Sequence, residues 1–341
     1  MAASAGAGAP ILTLQGLTRR FGEVAAVDGI DLAIEDGEFF TIVGPSGSGK
    51  STLIRILAGL ERVDAGAVLL RGQAITDVPA NRRPTAMVFQ SLALFNHKTV
   101  GENIEFALKM RGVDPAARRA RARELMDLVR LPETYYARPV TQCSGGERQR
   151  VALARALASD PEILFFDEPL SAIDYRLRKM LEVELKDLHR ETGKTFIYIT
   201  HSLEEAMVMS DRIGIMRDGR LVQIGPPLEI YQRPRSRFVA EFMGEVNVLP
   251  AAAVTGGADT EGWYVVRPEQ LRPLPPDAAA DIVFEAEIVN DYLLGSRKQF
   301  HARAGERLLI GEVAATAVGV PPPGEPVRLG FDLADAVRVT E

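Results

Sequence analysis

The most informative stretch of this sequence is Gly44-Pro45-Ser46-Gly47-Ser48-Gly49-Lys50-Ser51-Thr52. It fits the pattern G-x-x-x-x-G-K-[ST], and it lies between an apolar run at Phe39–Val43 and a helical pattern at Lys50–Leu60. That is the strand–loop–helix context which a phosphate-binding P-loop requires. Its glycines let backbone N–H groups turn toward phosphate oxygens, and the helix N-terminus adds partial positive charge. We therefore expect a nucleotide site in which Lys50 reaches the outer phosphates and Ser51 holds Mg²⁺.

Two adjacent carboxylates, Asp167 and Glu168, follow the apolar run Ile163–Phe166. Buried strands do not normally end in this way unless something compensates the negative charge. Asp167 is suited to hold Mg²⁺, and Glu168 to act as the general base, or the orienter, of an attacking water. His201 follows the run Phe196–Thr200. Ligands of parallel sheets bind where the strands end, so His201 is expected to contact the γ-phosphate.

Apolar runs alternate with helical patterns from Ile11 to about Gly225. The runs predicted as buried strands are Phe39–Val43, Ala86–Phe89, Ile163–Phe166, Phe196–Ile199 and Ile213–Met216. This alternation predicts an α/β fold, a mostly parallel sheet with helices on both faces. Shorter runs predict a small antiparallel sheet, at Leu12–Leu17, Ala25–Val27, Ile30–Ile34 and Val68–Leu70.

The rest of the chain changes character twice. Residues 91–145 predict a helical subdomain, with helices at Glu102–Met110 and Pro115–Val129. From Asn247 onward, Gly and Pro separate short strands that predict a small all-β barrel. We therefore expect a disordered lead-in at residues 1–10, an α/β domain at 11–244 and a β-barrel domain at 245–341.

The composition excludes several classes of protein. The chain has 40 Lys and Arg against 46 Asp and Glu, a net charge of −6, so no global basic surface argues for a nucleic-acid partner. Its single cysteine leaves no disulfide framework. No stretch approaches the ~20 apolar residues of a membrane span, so we expect any role at a membrane to come from docking.

A second glycine-containing stretch is Cys143-Ser144-Gly145-Gly146-Glu147-Arg148-Gln149-Arg150. Ser144 is a good N-cap, and the glycines expose N–H groups at a helix N-terminus, which makes a second anion site. The stretch resembles the signature of ATP-binding-cassette (ABC) proteins, usually Leu-Ser-Gly-Gly-Gln. The resemblance implies a head-to-tail homodimer. Each ATP would lie between the P-loop of one chain and residues Ser144 to Glu147 of the other.

Four other elements of that family are matched in order along the chain. Phe21 matches the aromatic that stacks on adenine, and Gln90 matches the Q-loop glutamine near Mg²⁺ and water. Ser171-Ala172-Ile173-Asp174 resembles the D-loop, which places Asp174 beside the nucleotide, and His201 matches the switch histidine. The resemblance covers residues 11 to about 240.

The departures from the family pattern are Cys143, Glu147, Asn96 and Lys98. Cys143 replaces the usual Leu and can fill a similar apolar pocket. Glu147 replaces the usual Gln and adds negative charge near an anion site. Asn96 and Lys98 stand where relatives often have Pro and Met, in a segment leading to the part that contacts the transmembrane partner in this family.

The tail resembles the TOBE-like barrel of importer ATPases. Val266-Arg267-Pro268-Glu269 looks like its Arg-Pro-Glu turn, and the segments 241–250 and 292–297 look like those of polyamine, iron(III) and phosphonate importers. The resemblance implies an ATPase that energises import of a polyamine or, alternatively, of iron(III), phosphonate or another solute. It also implies two transmembrane permease subunits, an extracytoplasmic solute-binding protein, and a peripheral place at the cytoplasmic face of a bacterial inner membrane.

Two other classes of protein stay open. One is a soluble ABC ATPase of translation or DNA repair, although such proteins usually carry two cassettes or a long coiled-coil insertion. The other is a regulatory nucleotide-binding protein with little turnover, against which the presence of both Glu168 and His201 argues.

Overall fold

The computed structural model describes residues 9–171, 173–257, 261–275, 277–317 and 319–340. The chain forms two compact units, Met1–Pro227 and Leu228–Glu341. This division precedes the predicted boundary near residue 245, because the segment after Pro227 packs with the second unit. There the buried Arg267 guanidinium donates to the carbonyl oxygens of Tyr231 and Ala240, both at 3.0 Å. The predicted disordered lead-in lies, up to residue 8, outside the described residues.

Within its described residues, the first unit contains ten strands and six complete α-helices. The strands are β1 (Leu12–Phe21), β2 (Val24–Ile34), β3 (Phe39–Val43), β4 (Ala65–Leu70), β5 (Gln73–Ala74), β6 (Thr85–Val88), β7 (Ile163–Asp167), β8 (Thr195–Ile199), β9 (Arg212–Arg217) and β10 (Arg220–Gly225). The helices are α1 (Lys50–Leu57), α2 (Val100–Met110), α3 (Pro115–Leu128), α4 (Gly145–Leu157), α5 (Tyr175–Thr192) and α6 (Leu203–Met209). The α/β prediction is confirmed.

A six-stranded sheet of order β10-β9-β3-β8-β7-β6 positions the predicted site. All its pairings are parallel except that of β10 with β9. Residues of β3 and β8 are wholly buried, as expected for strands covered by helices on both faces. Because β3, β8 and β7 are neighbours and run parallel, the segments that follow them begin at one edge of the sheet. These segments are the P-loop, residues 200–202 and residues 168–171.

The predicted antiparallel sheet has the order β2-β1-β4-β5. The two runs predicted at Ala25–Val27 and Ile30–Ile34 belong to one strand, β2, which passes through Gly29 with a positive φ of 65°. Its pairing with β1 shifts register along its length, so the apolar alternation is interrupted without ending the strand.

Helices α2, α3 and α4 pack against one another as a helical subdomain; α2 and α3 lie within the range 91–145 expected from the sequence, and α4 begins where that range ends. Each begins at a residue whose side chain accepts a backbone hydrogen bond: Thr99 for α2, Asp114 for α3 and Ser144 for α4. Such caps contribute about 1 kcal/mol each to helix stability. Apolar side chains of the three helices, among them Ile104 and Leu125, share one buried cluster with β7 and β8.

The second unit is mainly antiparallel β-structure. Its strands are β11 (Asn247–Pro250), β12 (Trp263–Val266), β13 (Arg272–Pro273), β14 (Ile282–Leu294), β15 (Arg297–Ala304), β16 (Arg307–Ala314), β17 (Pro326–Phe331) and β18 (Val337–Val339). The short helices that follow β10 are α7 (Pro227–Gln232), α8 (Arg237–Phe242) and α9 (Ala251–Val254). Two sheets, β11-β12-β18 and β13-β17-β14-β15-β16, share an apolar core that includes Val266, Phe300 and Leu329. The predicted all-β second domain is confirmed.

Across the described residues, no helix combines the length and apolar character that crossing a membrane requires.

Candidate functional site

The P-loop can be built only with glycine at two of its positions. A Cβ atom added to Gly44 would overlap the carbonyl oxygen of Met216, and one added to Gly49 would overlap that of Ala26. Gly49 also has a positive φ of 101° and begins α1 without a side-chain cap. The first N–H groups of α1 are therefore not covered by a capping side chain, as an anion-binding helix end requires.

Lys50 folds back into the loop that precedes it. Its Nζ donates to the carbonyl oxygens of Gly44 at 2.8 Å and Pro45 at 2.9 Å, and the residue is 7% exposed. Burial lowers the pKa of Lys50, and the carboxylates of Glu168 and Asp167 oppose that shift. A cationic side chain thus lies at the centre of the loop, within the electrostatic influence of both acids.

Asp167 and Ser51 meet across the sheet edge. The Ser51 hydroxyl donates to Oδ1 of Asp167 at 3.4 Å. Burial raises the pKa of Asp167; the Arg55 charge lowers it in part, and the Glu168 charge adds to the rise. A hydroxyl and a partly buried carboxylate are oxygen ligands of the kind that Mg²⁺ prefers, so the side chains present fit this cation.

Glu168 has an unusual backbone and a histidine partner. Its φ is 47°, in the left-handed region, which costs a residue other than glycine about 1–2 kcal/mol. Its N–H donates to the Ile199 carbonyl at 3.0 Å, and His201 Nδ1 lies 3.2 Å from its Oε2. The strained backbone, held by the neighbouring strand, sets the direction of the carboxylate.

Gln90 is connected to Glu168 through the side chain of Ser171. The Gln90 amide donates to the Ser171 hydroxyl at 3.1 Å, and that hydroxyl donates to the Glu168 carbonyl at 3.0 Å. From the sequence, Ser171 is identified only as part of the stretch that resembles the D-loop. Its position three residues after a strand-end acid is the signal that could have identified it as a link between Gln90 and Glu168.

The signature stretch differs from the P-loop in its capping. Ser144 Oγ accepts from the N–H of Glu147 at 3.3 Å, and the Glu147 carboxylate accepts from the N–H of Ser144 at 2.7 Å. This reciprocal capping box lowers the pKa of Glu147. Gly145 has open space around its Cα, and Cys143 is buried in the apolar cluster, where burial raises its thiol pKa.

Phe21 and Asp174 lie at the borders of the predicted site. Phe21 ends β1 with 48% of its surface exposed, and the Arg19 guanidinium lies 4.7 Å from its ring centroid. Asp174 is the N-cap of α5 and accepts from the Leu177 N–H at 3.1 Å. The exposed ring of Phe21 is available for stacking, whereas the described contact of Asp174 serves its own helix.

The structure thus brings together the P-loop, Asp167, Glu168 and His201 at one edge of the sheet, with Gln90 joined through one hydroxyl. No hydrogen bond or ion pair among the described residues joins the signature stretch 144–147 to residues 44–52. The fold and this arrangement define a P-loop nucleotide-binding cassette.

Comparisons with known proteins agree. A family model for ABC transporters matches residues 27–171, and one for the TOBE domain matches residues 264–339. The spermidine/putrescine import ATP-binding protein PotA of Mesorhizobium japonicum is 52% identical over 240 residues, 70% of this chain and 66% of the relative. The protein of the same description from Rubrobacter xylanophilus is 41% identical, covering 95% of this chain and 93% of the relative.

One solved structure resembles the fold of this chain. It is a dimeric ATP-binding cassette in a post-hydrolysis state bound to ADP and Pi, 32% identical, with a TM-score of 0.56. The match covers 63% of this chain and 98% of that cassette. The chain spans just under two thirds of the length of the Mesorhizobium relative and nearly all of the Rubrobacter one. This chain therefore belongs to the family of ABC transporter ATP-binding proteins that carry a TOBE domain.

Proposed function

We propose that this chain is the ATP-hydrolysing subunit of an importer for polyamines. The observation that carries the ATPase is the pairing of Glu168 with His201 at the sheet edge that also presents Lys50 and Asp167. The substrate class is supported by the relatives named as spermidine/putrescine import proteins, one of which aligns with 95% of this chain.

In the proposed mechanism, Lys50 leaves the carbonyls of Gly44 and Pro45 and pairs with the outer phosphates of ATP. Ser51, Asp167 and Gln90 would hold Mg²⁺, which would neutralise phosphate charge at this position. The Glu168 carboxylate accepts a proton from the attacking water, and His201 orients that carboxylate and contacts the γ-phosphate. Phe21 stacks on the adenine, and Asp174 lies beside the nucleotide.

The separation of the two anion sites within one chain supports a homodimer. In that assembly the helix N-terminus at Ser144, Gly145 and Gly146 of one chain completes the site formed by the P-loop of the other. A 32% identical cassette has been solved as a dimer with ADP and Pi. ATP then closes the dimer, and release of products reopens it.

The proposed partners in the membrane are two permease subunits, served by an extracytoplasmic solute-binding protein. Leu94, Asn96 and Arg148 line a groove of about 380 Å³ beside the helical subdomain, and we place the permease contact there. The chain would then work as a peripheral subunit on the cytoplasmic face of a bacterial inner membrane.

Reconstitution tests this proposal. The chain is co-expressed with the neighbouring permease genes and placed in liposomes with the binding protein. Uptake of radiolabelled spermidine and release of phosphate are then measured together. We expect spermidine to stimulate hydrolysis and to accumulate inside, with Glu168→Gln as the inactive control. Stimulation by iron(III) or a phosphonate instead would contradict the substrate class, and hydrolysis that no solute stimulates, with no uptake into the liposomes, would contradict the transport role.

A further inference from the structure

The segment that follows Gln90 has a strained and specifically held backbone. Leu92 and Ala93 have positive φ angles of 58° and 48°, although neither is a glycine. The Leu92 N–H donates to the Phe89 carbonyl at 2.8 Å, so Gln90 lies inside a tight turn. Two successive left-handed residues persist only where the surroundings hold them in place.

Arg155, in the last turn of α4, holds this turn from the outside. Its guanidinium donates to the carbonyl oxygens of Leu92 and Ala93, both at 2.7 Å, and lies 5.7 Å from the centroid of the Phe95 ring. Both carbonyls belong to the two left-handed residues. A fork of N–H donors can hold two successive carbonyls in a fixed direction, which a point charge does less well.

Among the described residues, no carboxylate pairs with the positive charge of Arg155. Partly buried arginines normally pair with a carboxylate. Within the described ranges, Arg155 forms no ion pair, and its hydrogen bonds go to the two backbone carbonyls. Burial lowers its pKa. A cation placed at this cost, with only loop carbonyls and a ring as partners, indicates that holding the loop is its role.

Asn103 on α2 holds the same segment from the other side. It is fully buried, its side-chain carbonyl accepts from the Phe95 N–H at 2.9 Å, and its amide donates to the Thr99 carbonyl at 2.9 Å. Residues 92–99 are therefore fixed to two helices of the helical subdomain. On the core side, the chain is linked through the Gln90–Ser171 hydrogen bond.

From this geometry we infer that Arg155 is a positioning residue for hydrolysis, which fixes Gln90 to the signature helix so that both move as one body. The inference rests on the proposed ATPase function. Displacement of α4 would then shift Gln90 relative to Ser171 and Glu168.

The test compares Arg155→Met, which keeps the aliphatic stem, with Arg155→Lys and with the control Arg118→Met. Arg118 is also on the helical subdomain and is partly buried, but its guanidinium pairs with Glu105 and donates to the Val113 carbonyl rather than to residues 89–95. We expect Arg155→Met to lower kcat about 10-fold or more by misplacing Gln90, with the Kd for ATP unchanged. Arg155→Lys should restore part of kcat, and Arg118→Met should leave it within about 2-fold.

A double-mutant cycle with Gln90→Ala separates positioning from general destabilisation. If Arg155 acts through Gln90, adding Arg155→Met to Gln90→Ala lowers kcat no further. Additive losses, or a wild-type kcat in Arg155→Met, would overturn the inference. If the wild-type chain hydrolyses no ATP, the proposed function fails. Hydrogen exchange then still tests whether Arg155 holds the turn, because it needs no ATP hydrolysis. Exchange at the Leu92 and Phe95 amides should accelerate in Arg155→Met but not in Arg118→Met, and equal rates would refute the anchoring.

Discussion

The P-loop and the signature stretch are two helix N-termini with glycines, yet they are built differently. The P-loop helix begins at Gly49 without a side-chain cap, and Lys50 supplies a positive charge. The signature helix begins at Ser144 with a complete capping box, and Glu147 supplies a negative charge. The first is equipped to bind a phosphate chain by itself. The second offers fewer free donors, which suits a surface that completes a site rather than one that forms it.

The largest difference in turnover is expected between Glu168, on the P-loop side, and Glu147, in the signature stretch. Glu168→Gln removes the proposed proton acceptor while leaving the P-loop intact, so we expect kcat to fall about 1,000-fold and ATP binding to persist. Phosphate release and ATP titration calorimetry measure the two properties. Near-normal hydrolysis would remove Glu168 from this role.

Substitution of a glycine at each of the two helix ends should affect ATP affinity to different degrees. Gly49→Ala forces a Cβ against the Ala26 carbonyl, so the loop must shift and lose several charge-assisted N–H contacts to phosphate. At about 1.5–3 kcal/mol for each such contact, ATP affinity should fall about 100-fold or more.

The matched control is Gly145→Ala, where no atom lies within 4 Å of the added Cβ. Calorimetric titration of the isolated chain with ATP should give nearly the wild-type Kd for this variant. Equal losses at both positions would mean that the P-loop and the signature bind nucleotide within the same chain.

Much of this arrangement was predictable because its signals are local. The P-loop, the strand-end acids and His201 are each fixed by a strand and the few residues after it. Strand β10 was missed, although Asp218 and Gly219, with φ of 49° and 79°, form the kind of turn that Asp-Gly signals in a hairpin. The segment from Pro227 to Phe242 forms two helices, α7 and α8, because Pro234 between them has no N–H to donate within a helix interior.

Other features depend on residues far apart in sequence and could not be predicted. The Arg155 contacts join residues 62 and 63 positions apart, and the Gln90–Ser171 bond spans 81. The left-handed backbone of Glu168 is held by a carbonyl of another strand. No periodicity or motif records such contacts, because they arise only when the strands and helices have packed.

The partly buried carboxylate of Asp167 should destabilise the nucleotide-free chain at neutral pH. Because the folded-state pKa of Asp167 is raised, its contribution to stability is greatest below its ordinary pKa and is lost as pH rises through the raised value. At pH 7, Asp167→Asn should therefore raise the Tm of the nucleotide-free chain by about 2 °C. Calorimetry at low pH should show a smaller difference, and a lower Tm at pH 7 would refute the account.

The smallest effect is expected at the signature acid. Glu147→Gln can keep the capping box, since glutamine also serves at this position, but it removes a negative charge beside the proposed γ-phosphate contact. A charge near a helix end is worth about 0.3–1 kcal/mol, so the KM for ATP should fall about 2- to 5-fold. Steady-state phosphate release checks this, and a raised KM would show that the carboxylate itself aids binding.

The most direct test of the two-site account is ATP occlusion in the Glu168→Gln chain. Radiolabelled ATP retained after rapid desalting is compared between Glu168→Gln and Glu168→Gln/Ser144→Arg, with the equilibrium Kd for ATP measured in parallel. The account predicts retained ATP in the first chain and almost none in the second, at similar Kd, because the signature closes the site without forming it. Equal retention in both chains would contradict the claim that each ATP is held between a P-loop and a signature stretch.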